Sequence, residues 1–443
     1  MTIRQRKYLT LSAMALLLVI VGVFQSWSLS LAILNLCIIS AVMALGVNMQ
    51  WGYAGLFNAG IMGFAALGGL AAIVIAMPPV YETWEAGGMG ILVAALVAAI
   101  TIIAGVFAWR QLKGVPPVAA AVIALIVLLG YFVARAFFLP AASAIELVNP
   151  AKTGYLGGLG LPILLAWPVG GALAAAAAWV VGKVALGLRS DYLAIATLGI
   201  SEIIIAVLKN EDWLTRGVKN VNGLPRPTPF EVDLQNAPWF QDLAARLDAN
   251  VVELSSIYVK LCYTGLFLAI LVFVFILAEK ALHSPWGRMM RAIRDNETAA
   301  EAMGKDVKGR HLEVFILGSA VIGIAGAMLT TLDGQFTPTS YQPLRFTFLI
   351  WVMVIVGGAG NNFGAVVGGF VVWFAWIQSE PVGAWLLDTV TLWMEANDPL
   401  RLHLIDGAPY MRPVTMGLVL LLVLRFSPKG LIPEESGRTG AAR

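Results

Sequence analysis

Charge is scarce in this sequence: Asp, Glu, Lys and Arg make up 12% of its 443 residues, against 59% hydrophobic residues and a mean hydropathy of +0.82. No water-soluble domain needs that much apolar surface, so the composition reads as a polytopic membrane protein. A formal net charge of +3 is too small to point to nucleic acid. The two cysteines, Cys37 and Cys262, both fall inside apolar runs, which argues against a disulfide framework. Three histidines, His283, His311 and His403, are too few and too scattered for a metal cluster. The sequence has no GxxxxGK[ST] loop, no HExxH and no His/Glu/Asp cluster with catalytic spacing. It is therefore expected to be no enzyme and to hold no cofactor or metal; if it transports actively, the driving chemistry lies in another chain.

What the chain does have is apolar runs. At about twenty residues per crossing, candidates are Leu9–Phe24, Ser28–Gly46, Gly60–Met77, Gly90–Trp109, Val115–Leu139, Leu161–Ala185, Tyr192–Leu208, Ile257–Leu277, Leu312–Thr331, Arg345–Gly357, Gly364–Trp376 and Arg412–Phe426. The expected fold is thus all-α with about twelve transmembrane helices. Arg4, Arg6 and Lys7 before the first run imitate a secretory signal, but no small-x-small cleavage pattern follows, and residues 1–28 read as an uncleaved first helix.

Loop charges test the count independently, because Lys and Arg concentrate on the cytoplasmic side. With the N-terminus inside, the inner loops carry Arg110 and Lys113, Lys183 and Arg189, the 280–311 stretch, and Arg425, Lys429, Arg438 and Arg443. The outer loops carry Glu82 and Glu85, the mixed 209–256 segment, and Glu380, Asp388, Glu395, Asp398 and Asp406 against Arg401. Both termini, including a 433–443 tail, are expected in the cytoplasm.

Between His283 and His311 the chain is richly charged and flanked by spans. Arg288, Arg291 and Arg294 recur on one helical face, with Ala292, Ile293, Ala299, Ala300, Ala302 and Met303 on another, before Gly304 ends the helix. Such a basic amphipathic helix either lies on anionic lipid or docks a cytoplasmic partner. Two Gly-punctuated stretches, NMQWGYAGLFNAGIMGF from Asn48 and GGAGNNFGAVVGG from Gly357, interrupt apolar runs in the two halves. Broken segments of this kind point to a transport pathway, with small-residue helix packing as the plainer explanation. Asn48, Gly52, Gly55, Asn58, Gly357, Gly358, Asn361 and Asn362 are the candidates there, with Tyr192 and Glu202 from the span between. Glu202 would cost about 2.5–3.5 kcal/mol unpaired inside a span, and calls for water, substrate or a partner such as Arg135.

LRSDYLAIATLGISEII from Leu188, SPWGRMMRAIRDNETAAEAMG from Ser284, VIVGGAGNNFGAVVGG from Val354 and RFSPKGLIP from Arg425 together resemble the permease family of branched-chain amino-acid ABC importers, of the LivM type. The resemblance runs from Asn35 to Pro433, so residues 29–432 read as an ABC permease domain with a cytoplasmic coupling helix. It implies a bacterial inner-membrane protein that works with a homologous second permease, two ABC ATPase subunits that bind ATP and Mg, and a periplasmic solute-binding protein. The family's EAAxxxG coupling motif falls on Thr298-Ala299-Ala300-Glu301-Ala302-Met303-Gly304, with Thr298 at the acidic position and Glu297 one place earlier. The coupling residues so implied are Arg288, Arg291, Arg294, Glu297, Thr298, Ala299, Ala300, Glu301 and Gly304, with the arginines at the rim of the ATPase groove. Residues 88–139 read as a two-helix insert. The implied solute is a branched-chain or related small amino acid; urea or short amides, and a self-sufficient secondary amino-acid transporter, are the alternatives.

Overall fold

A long apolar run in a bilayer can satisfy its backbone only within itself, so each folds as a helix. The computed structural model describes residues 3–112, 116–150, 152–395 and 398–434. Lys113, Val115, Arg438 and Arg443, and the 433–443 tail past Glu434, lie outside the described residues. In chain order the main helices are α1 (Ile3–Phe24), α2 (Trp27–Val47), α3 (Ile61–Ala76), α4 (Met89–Gln111), α5 (Pro116–Val148), α6 (Ala166–Ala185) and α7 (Ser190–Asn210). Then follow α8 (Glu231–Asn236), α9 (Pro238–Arg246), α10 (Val251–His283), α11 (Pro285–Asp295), α12 (Glu297–Ala302) and α13 (Val307–Asp333). The chain continues with α14 (Pro343–Gly357), α15 (Asn362–Val390), α16 (Pro399–Asp406) and α17 (Met411–Phe426).

Among the described residues ten helices are long and apolar enough to cross a membrane, and α3 and α14 are shorter apolar helices. Together they match the twelve expected spans, in an all-α polytopic fold. Boundaries shifted where polar residues are tolerated at span ends: the run read as Gly364–Trp376 is a helix of 29 residues, and the one read as Val115–Leu139 continues to Val148.

Helix α13 occupies the centre, against α2, α3 and α6. Small residues let it approach: a Cβ on Gly68 would stand 1.9 Å from the Gly323 carbonyl oxygen, and one on Gly326 2.0 Å from that of Ala65. The hydropathic window of α2 and its continuation is 78% buried, whereas those of α4 and α5 are 11% and 6% buried. The α4–α5 pair therefore packs chiefly on itself at the periphery, with a small core of Ile91, Ala141, Ala142, Ile145 and Leu156.

Successive helices alternate, so their ends sort into two sets. One set, the basic end, holds α11 and α12. At the far end, β1 (Val221–Asn222) pairs antiparallel with β2 (Gln335–Phe336), tying the 209–256 segment to the α13–α14 hairpin.

The stretch read as one helix from Ser284 to Gly304 is two. Ser284 caps α11 by accepting from the Gly287 amide, and Pro285 suits its first turn. At Asn296 the backbone is extended (φ −158°, ψ 97°), and its side chain accepts from the Ala299 amide at 2.9 Å to start α12 on a new axis. Gly304, at φ +76°, ends α12 as expected.

Candidate functional site

The two Gly-punctuated stretches meet at the basic end. Beyond Val47 the chain widens into a π-helical turn, Asn48–Tyr53, then turns and rises to α3. Between α14 and α15 a four-residue break, 358–361, is closed by Asn361, whose side chain accepts from the Phe363 and Gly364 amides. Gly52 sets how near the breaks come. A Cβ there would lie 2.3 Å from Asn48 Oδ1 and 2.5 Å from the Gly360 nitrogen.

A buried amide network joins the breaks. Asn48 Nδ2 donates to Asn362 Oδ1 at 3.1 Å, and Asn48 Oδ1 accepts from the Gly360 amide at 2.8 Å. Tyr53 Oη donates to the same Asn362 oxygen, while Asn362 Nδ2 donates to Glu279 Oε1 at 2.9 Å. Deeper, Gln50 Nε2 donates to the Phe315 carbonyl and to Ser319 Oγ, each at 3.0 Å, and its oxygen accepts from Asn58 Nδ2 at 2.9 Å. The Asn58 carbonyl accepts from Trp351 Nε1 at 3.1 Å, and Trp351 in turn packs against Trp51 and Phe57, with centroids at 4.8 and 4.3 Å. The start of α3 hangs on α7: the Ala59 amide donates to Thr197 Oγ1 and the Gly63 amide to Ser201 Oγ, at 3.0 and 2.8 Å. Every backbone group freed by breaking a helix must find such a partner, because none is available from lipid.

Helix α11 is bolted to both breaks. Arg294 Nη1 donates to the Gly52 carbonyl oxygen, and Arg294 Nη2 to Glu434 Oε2 at 3.0 Å. Arg291 lies 3.9 Å from the other oxygen of Glu434. The segment before Glu434 is itself a strap on the second break: the Leu431 and Ile432 amides donate to the Val356 and Gly357 carbonyls at 2.8 and 3.0 Å, and Asn361 Nδ2 donates to the Pro433 carbonyl at 3.1 Å. Gly430 fits beneath Gly358, whose φ of +115° few side-chain-bearing residues adopt.

Of the residues singled out from sequence, Asn48, Gly52, Gly55, Asn58, Gly357, Gly358, Asn361 and Asn362 gather here, and a Cβ on Gly55 would touch Arg294 Cγ at 3.3 Å. Arg291 and Arg294 turn toward the spans, not to an outer rim, because α11 presents that face to the Gly52 carbonyl and Glu434. Arg288 remains outside, donating to the His283 carbonyl at 3.3 Å. Glu297, Thr298, Ala299, Ala300 and Glu301 form α12, which buries no residue, and Met303 beside Gly304 is 80% exposed. Tyr192 and Glu202 stand apart on the outward face of α7. Arg135 donates to Tyr131 Oη at 3.5 Å on its own helix, so the pair with Glu202 is not formed. Sequence reading missed Gln50, Tyr53, Glu279 and Glu434. The one local signal was Glu279, a carboxylate inside the last turns of a span.

A protein family described as "Branched-chain amino acid transport system / permease component" matches residues 118–424. The high-affinity branched-chain amino acid transport system permease protein LivM of Escherichia coli is 29% identical over 211 residues, 47% of this chain and 48% of that protein. The alignment thus spans about half the length of that relative. A probable branched-chain amino acid transport permease protein LivM of Methanocaldococcus jannaschii is 24% identical over 89% of this chain and 90% of its own length. A probable LivH permease of the same archaeon is 31% identical over 87 residues, 20% of this chain and 27% of that protein. No solved structure matches this chain.

Proposed function

The chain belongs to the family of branched-chain amino acid transport permease components, and from that premise we propose that it forms half of the translocation pathway of an ATP-driven importer. Its partners in this reading are a homologous second permease, two ABC ATPase subunits that bind ATP and Mg, and an extracytoplasmic solute-binding protein. In this reading the membrane is a bacterial inner membrane and the basic end faces the cytoplasm, which the gathering of Arg4, Lys183, Arg189, Arg288 and Lys429 on one side supports.

The observation that carries the reading is the double attachment of Arg294. Helix α12 has no fully buried residue, Ala300 packing partly against the core and the rest standing exposed, and it suits the groove of an ATPase. Helix α11, its neighbour across the Asn296 bend, grips the first break at Gly52 and the second through Glu434. A shift of the ATPases that carries α12 then pulls on both breaks together, at the two places where the spans are not continuous helix. Rigid helices with hinges at their broken turns are a recurrent way to alternate access.

Glu202 fits the second permease. It stands about 18 Å along α7 at roughly 1.5 Å per residue, with Tyr192, Ile195 and Gly199 on the same open face. A carboxylate facing lipid at that depth costs about 2.5–3.5 kcal/mol, so this face meets protein or the aqueous pathway. The solute-binding protein would land on the 209–256 segment, where Trp239 and Val232 are exposed.

The test is reconstitution with the ATPases and binding protein in proteoliposomes. Leucine uptake should require ATP. Uptake that persists without ATP and stops when ion gradients are dissipated would identify a secondary transporter and sink the proposal.

A further inference from the structure

Between α2, α3, α13, α14 and α15, inside the single chain, lies a cavity of about 260 Å³ that reaches the far end beneath the α13–α14 hairpin. Its deep end is made by Met43, Met62 and Met353, and its mouth by Asp333, Gln335 and Ser340. The volume falls below the roughly 300 Å³ at which drug-sized sites begin, so the space suits a smaller molecule. Methionine walls adapt to differently branched aliphatic shapes, because the thioether chain has three rotatable bonds.

The polar groups point to what that molecule carries. Asp333 is exposed at the mouth and has no hydrogen-bond or ion-pair partner among the described residues. Thr337 Oγ1 and Trp373 Nε1, both on the lining, are buried without partners, an arrangement that costs about 1–3 kcal/mol per group unless something fills it. Arg226 donates through Nη1 to Glu231 Oε2 at 3.0 Å, and its other edge, Nε and Nη2, lies 3.8 Å from where a Cβ on Gly334 would be, next to the Asp333–Gln335 rim. Burial pushes the Tyr341 phenol above its ordinary range, and the hydroxyl is already shared with Thr330 at 2.8 Å, so it completes the wall as a neutral group.

We propose that this cavity receives the transported solute within one permease subunit, the apolar side chain on the methionine floor and the ammonium on Asp333, with Arg226 facing the carboxylate. It then selects branched aliphatic zwitterions over urea and short amides, which would leave the floor empty and bring no cation to Asp333. This deepens the importer reading and rests on it.

The test uses the whole assembly in lipid nanodiscs, without binding protein and without ATP, and measures equilibrium binding of radiolabelled L-leucine. Wild-type protein should bind leucine saturably. Asp333→Asn, a change on an exposed side chain, should weaken binding roughly tenfold, as loss of one charged partner does. Leu349→Ala, which enlarges the cavity wall, should shift the leucine-to-phenylalanine binding ratio toward phenylalanine about tenfold, the discrimination expected of an apolar pocket. Unchanged affinity in Asp333→Asn together with an unchanged ratio in Leu349→Ala, or no saturable binding by a wild-type assembly that transports on addition of ATP, would overturn the assignment. An assembly that binds leucine but does not transport it on ATP supports the cavity and counts instead against the importer reading.

Discussion

Arg294 donates to Glu434 across 3.0 Å with the same guanidinium that donates to the Gly52 carbonyl, joining positions 140 and 242 residues away in the chain. Both side chains are only partly exposed, at 24% and 28%, so the contact is more than a screened surface pair. Planar, two-pronged donation is a property of arginine that lysine lacks.

Replacing it should therefore separate hydrolysis from transport. Arg294→Lys keeps the charge and loses the fork, and is expected to lower leucine taken up per ATP hydrolysed by roughly tenfold, about 1.4 kcal/mol of coupling. Glu434→Gln should do less, because the Gly52 contact survives. Parallel assays of uptake and phosphate release check this; a ratio equal to wild type in both variants would remove Arg294 from the coupling route.

Gly52→Ala should be poorly tolerated. The added methyl meets Asn48 Oδ1 and the Gly360 nitrogen, backbone and a hydrogen-bonded amide that have nowhere to retreat. We expect a loss of about 1–3 kcal/mol, the usual range for overpacking, seen as a lower melting temperature in detergent and as lost uptake. A variant with wild-type melting and transport would show that the breaks are not held at this spacing.

Asn362→Leu removes the hub of the buried amides. Asn48 Nδ2, Tyr53 Oη and Glu279 Oε1 each lose a partner at once. Asn48 Nδ2 is then left buried without a partner, at about 1–3 kcal/mol, and the variant should denature below wild type in thermal unfolding monitored by scanning fluorimetry. Asn48→Leu should be non-additive with it, since the two amides share a bond.

Helix α12 offers the opposite case. Ala299 and Met303 are exposed, so Ala299→Trp and Met303→Glu should leave melting unchanged within about 0.5 kcal/mol. Both should abolish co-purification of ATPase subunits in mild detergent. Retention of the ATPases would mean that they dock elsewhere.

Hydropathy alone was enough to find the spans, because crossing a bilayer constrains each segment locally: a run such as Trp27–Val47 carries its own evidence. The Gly-Asn stretches were legible as breaks for the same reason. Their partners were not. Nothing near Glu434 in sequence announces an arginine 140 residues earlier, and Gln50 reads as one polar residue at a span end until Ser319 and Asn58 are placed beside it. The Asn296 bend was hidden by the arginine and alanine periodicity, which runs on across it although its side chain is a ready helix cap. Glu202 was conspicuous in the sequence, yet the pairing suggested for it is not formed because Arg135 belongs to a peripheral hairpin.

The two rungs between Val221–Asn222 and Gln335–Phe336, with the Leu224 amide donating to the Gly334 carbonyl at 3.1 Å, fasten the longest far-end segment to the lip of the cavity. A visitor alighting on that segment would not need to touch the cavity to affect it. Leverage on residues 209–256 would arrive at Asp333 and Gln335 through the pairs Val221–Phe336 and Asn222–Gln335, so in the proposed importer delivery of cargo and unlatching of its entrance would be one event.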